Sequence, residues 1–210
     1  MANTKKHIYT GDIVAIFLCL IMAVYSGFIY KSNCLPFLLY YVVMFLFRII
    51  VLVLEVVIVR KHDEALTKFK KERFLCRIAG VLLLAVDMAF MFILFYGPLM
   101  KSYEIYEKFP WLLAVYGVYA TYKLVSAILG FRKARRSFSP YRDIMSSLSC
   151  IDALVTFMTL IAFILQLFVD LKTNDIAFIV FFYVFILMVI ISLVITIKVI
   201  VSRKIPNLLK

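Results

Sequence analysis

Charged residues lie inside the long apolar stretches of this chain, and six of them are the residues most able to do chemistry: Arg48, Glu55, Arg77, Asp87, Lys123 and Asp152. A charged side chain in the hydrocarbon of a bilayer costs several kcal/mol, so such residues normally pair with an opposite charge or line a cavity. The chemistry open to them is therefore ion pairing, proton or ion coupling, and the binding of a polar solute.

The depth of each charge follows from counting helical residues from the basic end of its apolar stretch, at about 1.5 Å per residue. Three acid–base pairs match in depth: Glu55 with Arg77 at about 6–8 Å, Arg48 with Asp87 at about 18–21 Å, and Lys123 with Asp152 at about 13–15 Å. We interpret the shallow pair as structural, the deepest as a coupling or gating pair, and the third as the best candidate for function. The alternative is that all three only fix helix register.

Polar residues also form stripes on the fourth and fifth apolar stretches. Stretch five has Ser149, Asp152, Thr156, Thr159 and Gln166 on one face, and stretch four has Tyr116, Tyr119, Lys123 and Ser126 at the same helical spacing. A basic segment joins the two stretches, so the stripes can face each other and line a cavity that binds a substrate. The alternative is interhelical hydrogen bonding by Ser and Thr, which is common in membrane bundles.

These residues must be positioned by helices that cross a membrane. The chain has 210 residues, of which 65% are hydrophobic, and its mean hydropathy is +1.03. A spanning helix needs about 20 apolar residues. We predict an all-α, six-helix transmembrane bundle forming a single domain, 1–210, with spans at about 12–30, 35–59, 74–97, 110–131, 144–170 and 175–202.

The distribution of positive charge predicts the orientation of this bundle. The formal net charge is +12, with six Lys and Arg in segment 60–73 and five in segment 131–142. Because cytoplasmic loops carry the excess of Lys and Arg, both termini are expected in the cytoplasm, in a multi-pass protein of the cytoplasmic membrane. The cations cluster at the ends of apolar stretches, which argues against nucleic-acid binding. They could instead bind anionic lipid.

The first stretch carries a small-residue face: Ala15, Cys19, Ala23 and Gly27. Such a face either packs a helix inside its bundle or docks a partner subunit or a second copy of the chain. It resembles the Ala-xxx-Ala face with which substrate-binding S components of energy-coupling-factor vitamin transporters dock a membrane partner. That resemblance implies docking through Ala15, Cys19 and Ala23, but the very short first outer loop and the long basic inner loops depart from it. We therefore assign no family.

Familiar catalytic and metal-binding patterns do not occur in the sequence. The two histidines, His7 and His62, lie outside the apolar stretches, and no CxxC or zinc-type spacing is present. We expect no cofactor, no metal and no enzymatic activity, and free thiols at Cys19, Cys34, Cys76 and Cys150.

The sequence is best interpreted as a transporter, or a membrane subunit of one, for a small or ionic solute. In this hypothesis, Lys123 and Asp152 form the polar centre and the stripe residues orient the solute. Two alternatives remain open: a non-transporting scaffold such as an immunity or assembly protein, and an oligomeric channel.

Overall fold

The computed structural model describes the backbone of residues 2–29, 35–61, 65–100, 113–137, 139–168 and 175–201. These residues form α1 (Ala2–Ile29), α2 (Leu35–Lys61), α3 (Ala65–Met100), α4 (Leu113–Ser137), α5 (Pro140–Phe168) and α6 (Asp175–Val201). Within this described part the fold is all-helical, and each helix coincides with one of the six predicted apolar stretches. The all-α prediction is therefore confirmed.

Two helices begin earlier than predicted. α1 starts at Ala2 rather than near residue 12, and α3 starts at Ala65 rather than near residue 74. The basic segment 60–73, expected to be a loop, is thus helical except at 62–64, which lie outside the described residues. Its Ala, Leu, Lys, Glu and Arg residues favour helix, so the charged segment continues the apolar one.

The second basic segment, 131–142, is also mostly helical. α4 continues to Ser137 and α5 begins at Pro140. Proline suits the first position of a helix because its missing N–H has no intrahelical partner there. The ends of the two helices are thus three residues apart in sequence, and α4 packs closely on α5.

Helix α5 lies at the centre of the fold, since it packs against α2, α3, α4 and α6. Nearly all of its side chains between Ile144 and Thr159 are buried. On this stretch, hydroxyl groups donate to the carbonyl four residues earlier, as Thr159 does to Val155. Ser and Thr can therefore be buried within a helix without leaving their hydroxyl groups unsatisfied.

The small-residue face of α1 is buried inside this chain. Ala15, Cys19 and Ala23 are 4%, 0% and 2% exposed, whereas the surroundings of Gly27 lie outside the described residues. Short side chains let helices approach closely, so this face packs α1 against the bundle. Docking of a partner, as in the S components, would need the same residues to be exposed.

Three of the helices are long and apolar enough to cross a membrane, judged over the described residues: α2 at Leu38–Ile58, α4 at Leu113–Arg136 and α5 at Pro140–Ile161. Shorter apolar segments lie in α1 at Thr10–Ser26 and in α6 at Phe182–Lys198. Large apolar side chains such as Phe17, Phe74 and Val118 are more than half exposed. Extensive exposed apolar surface is unusual in a soluble monomer, which supports a membrane location.

Candidate functional site

A cluster of charged and polar side chains around Asp152, which we call the buried centre, is assembled from four helices. Its members are Arg48 of α2, Tyr119 and Lys123 of α4, Asp152 of α5, and Cys19 of α1. The ammonium group of Lys123 lies 3.2 Å from Oδ2 of Asp152, the hydroxyl of Tyr119 donates to the same oxygen at 2.6 Å, and Nη2 of Arg48 lies 3.5 Å from it. The pairing of Lys123 with Asp152 is therefore present as predicted.

Helix α1 completes the buried centre in a way that sequence reasoning missed. Nζ of Lys123 donates to the carbonyl oxygen of Ala15 at 3.1 Å and to Sγ of Cys19 at 3.3 Å. Sγ of Cys19 also lies 3.3 Å from the hydroxyl of Tyr119. The sequence signal was the small-residue face itself, because a face that admits close backbone approach also lets a lysine reach a carbonyl of the neighbouring helix.

By formal charge, the buried centre has two basic side chains, Arg48 and Lys123, and one carboxyl group, that of Asp152. Arg48, Lys123 and Asp152 are each at most 1% exposed at the side chain, so two cations share one carboxylate. Nε of Arg48 and Oδ1 of Asp152 have no hydrogen-bond partner among the residues that the structure describes. Buried charges are stable only when they are compensated and hydrogen-bonded. Nε of Arg48 can therefore still donate to a further polar group, and Oδ1 of Asp152 can still accept from one.

The remaining stripe residues are placed as follows. The hydroxyl of Thr156 lies 3.0 Å from that of Tyr41 and donates to the Asp152 carbonyl at 2.7 Å. The hydroxyl of Tyr116 lies 2.9 Å from that of Ser26. Thr156 and Tyr116 thus hold helices together around the centre, whereas the buried Thr159 donates to the carbonyl of Val155 within α5. The side chain of Gln166 lies outside the described residues.

Arg48 and Asp87, predicted to pair with each other as a coupling or gating pair, instead have different partners. Arg48 points to Asp152 and to Ser149, whose Oγ is 3.4 Å from Nη1. Asp87 instead accepts a hydrogen bond from Ser192 of α6. Counting depth along backbones ignores the reach of arginine, which spans about one helical turn and lets it meet a partner at another depth.

Glu55 and Arg77, predicted to form a structural ion pair, also have different surroundings. Arg77 is exposed, while Glu55 is buried near the carboxyl group of Glu72, and its Oε2 has no hydrogen-bond partner among the described side chains. Glu72 in turn lies 3.4 Å from Nζ of Lys68. Positions 72 and 77 are five apart on α3, so they point about 140° away from each other, and the face towards α2 presents Glu72.

An open cleft of about 710 Å³, which we call the basic cleft, lies between α1, α4 and α5. Its charged lining residues are Asp12, Lys133, Arg136 and Arg142. Its polar and apolar walls include Ser126, Ser146, Ser149, Val125, Leu129 and Met145. The volume falls in the range of small-molecule pockets, roughly 300–1,000 Å³.

The basic cleft is connected to the buried centre through Ser149. This residue lines the cleft and also contacts Nη1 and Nη2 of Arg48 at 3.4 Å. Asp12, on the α1 wall, accepts a hydrogen bond from the hydroxyl of Tyr141 at 2.9 Å. Ala15 also lines the cleft, and its carbonyl oxygen accepts from Lys123. Ser149 and Ala15 therefore both lie between the cleft and the fully buried charges.

Close packing of α4 on α5 beside the cleft depends on Gly130. A Cβ atom at this position would overlap Oγ of Ser146 and lie 3.2 Å from its Cβ. The hydroxyl of Ser146 is held by the carbonyl of Arg142 at 2.6 Å. Gly130 therefore sets the distance between the helices that carry Lys123 and Asp152.

Among the side chains that the structure describes, no group of three or more His, Cys, Asp or Glu residues is arranged to hold a metal ion. Cys19, Cys76 and Cys150 are free thiols, and Cys34 lies outside the described residues. Comparison with protein families, with curated proteins and with solved structures finds no match. Function must therefore be inferred from the residues themselves.

Proposed function

We propose that this chain is a multi-pass transporter of the cytoplasmic membrane, or the membrane subunit of one, for a small ionic solute. In this proposal all six helices cross the membrane and both termini are cytoplasmic. The basic segments around Lys68–Arg73 and Arg132–Arg142 then lie on the cytoplasmic side, as the excess of Lys and Arg favours. The solute is handled at the buried centre.

The observation that carries this proposal is the excess of charge at the buried centre. A pair that only joined helices would need one acid and one base, and Lys123 with Asp152 already supplies both. Arg48 adds a second buried cation, with Nε unpaired among the described residues. Charges buried at this depth are expensive, so an additional one that is incompletely paired favours a ligand over a purely structural role.

The route to the buried centre also supports transport. A solute needs access from at least one side, and the basic cleft reaches Ser149, which contacts Arg48. A scaffold protein needs no such cleft, and it needs an exposed face for its partner. The small-residue face of α1, which sequence analysis offered for docking, is used within the chain.

Electrical recording from proteoliposomes on a solid-supported membrane tests the proposal. Rapid exchange to each of a panel of inorganic and organic ions should give a transient current with one solute class. The double substitution Lys123→Met with Asp152→Asn keeps a cation at Arg48 but removes the paired site, and should abolish that current. A matched double substitution at exposed positions, Arg77→Gln with Lys198→Gln, should retain it.

Two results would overturn the proposal. One is the absence of any solute-dependent current from reconstituted protein that is monodisperse and thermally stable. The other is a current that the Lys123 and Asp152 double variant retains in full, because the buried centre would then only join helices.

A further inference from the structure

We infer that the solute is an anion, bearing a phosphate or carboxylate group, and that the basic cleft is the site where it first binds. That the bound anion is a transported solute rests on the proposed function, but anion binding at the cleft can be tested separately. It is carried by the charges of the described residues at two successive levels of one path: the cleft and the buried centre.

At the first level, the basic cleft has three cations against one carboxylate. Lys133, Arg136 and Arg142 line it, together with Asp12. Asp12 interacts electrostatically with Arg48 and Arg142 and accepts a hydrogen bond from Tyr141, so it offsets part of the positive charge at both levels. The cleft therefore attracts anions and repels cations, and arginine forks match the oxygens of phosphate and carboxylate groups.

At the second level, the buried centre again has more cations than carboxylates, with Arg48 and Lys123 around Asp152. Ser149 lies between the two levels and contacts Arg48. A cation moving along this path would meet an excess of positive charge twice, and the repulsion would be strongest at the buried centre, where the dielectric is low. An anion would be attracted at both levels and could accept from Nε of Arg48, which has no hydrogen-bond partner in the part of the chain that the structure describes.

The walls of the basic cleft add a second requirement to the ligand. Val125 and Leu129 are half exposed on α4, and Met145 lines the α5 side. A ligand with a short apolar body beside its anionic group would contact both kinds of surface. The same chemistry occurs in a phospholipid, whose headgroup would sit at the arginines, so the experiment must distinguish a soluble anion from a lipid.

Binding is measured by isothermal titration calorimetry on the purified protein in nanodiscs of phosphatidylcholine, at constant ionic strength. The probes are inorganic phosphate and succinate, one for each anion chemistry, with choline chloride as the cationic comparison. We expect saturable binding of at least one anion and none of choline. Arg136→Gln and Arg142→Gln should each raise the dissociation constant about tenfold, the loss expected when a charge-assisted hydrogen bond is removed.

Arg132→Gln is the matched control. Arg132 is exposed on α4 and does not line the cleft, and its substitution changes the net charge by the same amount. If Arg132→Gln weakens binding as much as Arg136→Gln, the effect is one of overall charge and the site is refuted. Arg136 is exposed, so this variant should fold even if Arg142→Gln does not.

A further arm adds phosphatidylglycerol to the nanodiscs. If phosphatidylglycerol binds at Arg136 and Arg142 while neither soluble anion binds, the cleft is a lipid site and the inference is overturned. Anion binding without any solute-dependent current would leave the anion site standing and refute transport. Current carried by cations, with no anion binding, would refute the anion site and leave transport intact.

Discussion

Asp152 is the residue on which the buried centre depends, because its Oδ2 is approached by Lys123, Tyr119, Arg48 and Cys19 at distances between 2.6 and 3.5 Å. Removing the carboxylate leaves two buried cations without compensation. Removing Lys123 instead leaves Arg48 and Asp152, which together are neutral. The three charged residues should therefore respond unequally to substitution, although they are equally buried.

We predict that Asp152→Asn destabilises the protein by about 3–5 kcal/mol, the typical cost of breaking a buried ion pair from one side. Lys123→Met should cost clearly less, because the remaining centre is neutral and methionine fills a similar volume. Thermal unfolding in a mild detergent measures both, with Lys198→Met at an exposed position of α6 as the control. Equal losses for Asp152→Asn and Lys123→Met would contradict this charge count.

Glu55 gives a second prediction, which separates its observed partner from the one expected from sequence. Glu55→Gln should hold or raise the thermal stability, because an amide can donate to Glu72 whereas a second carboxylate repels it. Arg77→Gln should leave stability within about 0.5 kcal/mol, as is usual for exposed positions. If Arg77→Gln instead destabilises the protein while Glu55→Gln does so equally, the two residues form the pair that depth counting predicted.

The outcome for the charged residues shows what depth counting can and cannot predict. It paired Lys123 with Asp152, because the two helices are consecutive and their polar faces meet. It could not place Arg48, since the guanidinium lies far from its own backbone and α2 contacts α5 across the bundle. Arg77 does not meet Glu55 because its side chain points to a different side of α3, and hydropathy carries little information on the direction of a side chain around its helix.

At the scale of helices, the contact between α4 and α5 is what brings the polar stripes together. Gly130 permits this contact, because only a residue without Cβ fits against Ser146. This role could not be predicted from sequence, since a single glycine in an apolar helix is usually tolerated without a packing reason. The need for glycine at position 130 comes from α5, where Ser146 occupies the facing position.

Gly130→Ala should therefore destabilise the protein by about 1–3 kcal/mol, the usual cost of overpacking. Gly11→Ala is the matched control, because a Cβ there meets nothing within 4 Å, and it should stabilise α1 by about 0.5–1 kcal/mol through helix propensity. The two identical substitutions are thus expected to have opposite signs in thermal unfolding. Adding Ser146→Ala to Gly130→Ala should recover part of the lost stability, because it removes the hydroxyl that overlaps the new Cβ atom. If no stability is recovered, the strain does not arise at Ser146.

Helix existence was predictable along the chain, whereas helix ends were not. Long apolar stretches predicted all six described helices, because burying backbone polar groups in hydrocarbon requires helix. The same apolar pattern predicted that the first and third helices begin at about residues 12 and 74, whereas α1 and α3 begin at Ala2 and Ala65. Hydropathy reports which part of a helix is apolar, while the local propensity of Lys, Glu and Ala decides where it stops.

At the scale of the whole molecule, α5 forms the interior and the other helices present apolar side chains outward. Leu187, Val194 and Val201 on α6 are all more than half exposed, although α6 packs on α3 and α5. Such a surface suits a lipid environment, and the basic ends of the helices then give the bundle a direction. The proposed topology of six crossings follows from combining these two features.

This topology is tested by cysteine labelling in a cysteine-free background, in which Cys19, Cys34, Cys76 and Cys150 are changed to alanine. Lys70→Cys and Lys133→Cys, both exposed, should react with a membrane-impermeant maleimide only after cells are permeabilised. Lys101→Cys and Lys172→Cys should react on intact cells, because the segments that hold them carry few cations. If only α2, α4 and α5 crossed the membrane, Lys70→Cys and Lys101→Cys would label from the same side. That result would exclude the six-crossing topology and, with it, a basic cleft that opens to the cytoplasm beside Arg136.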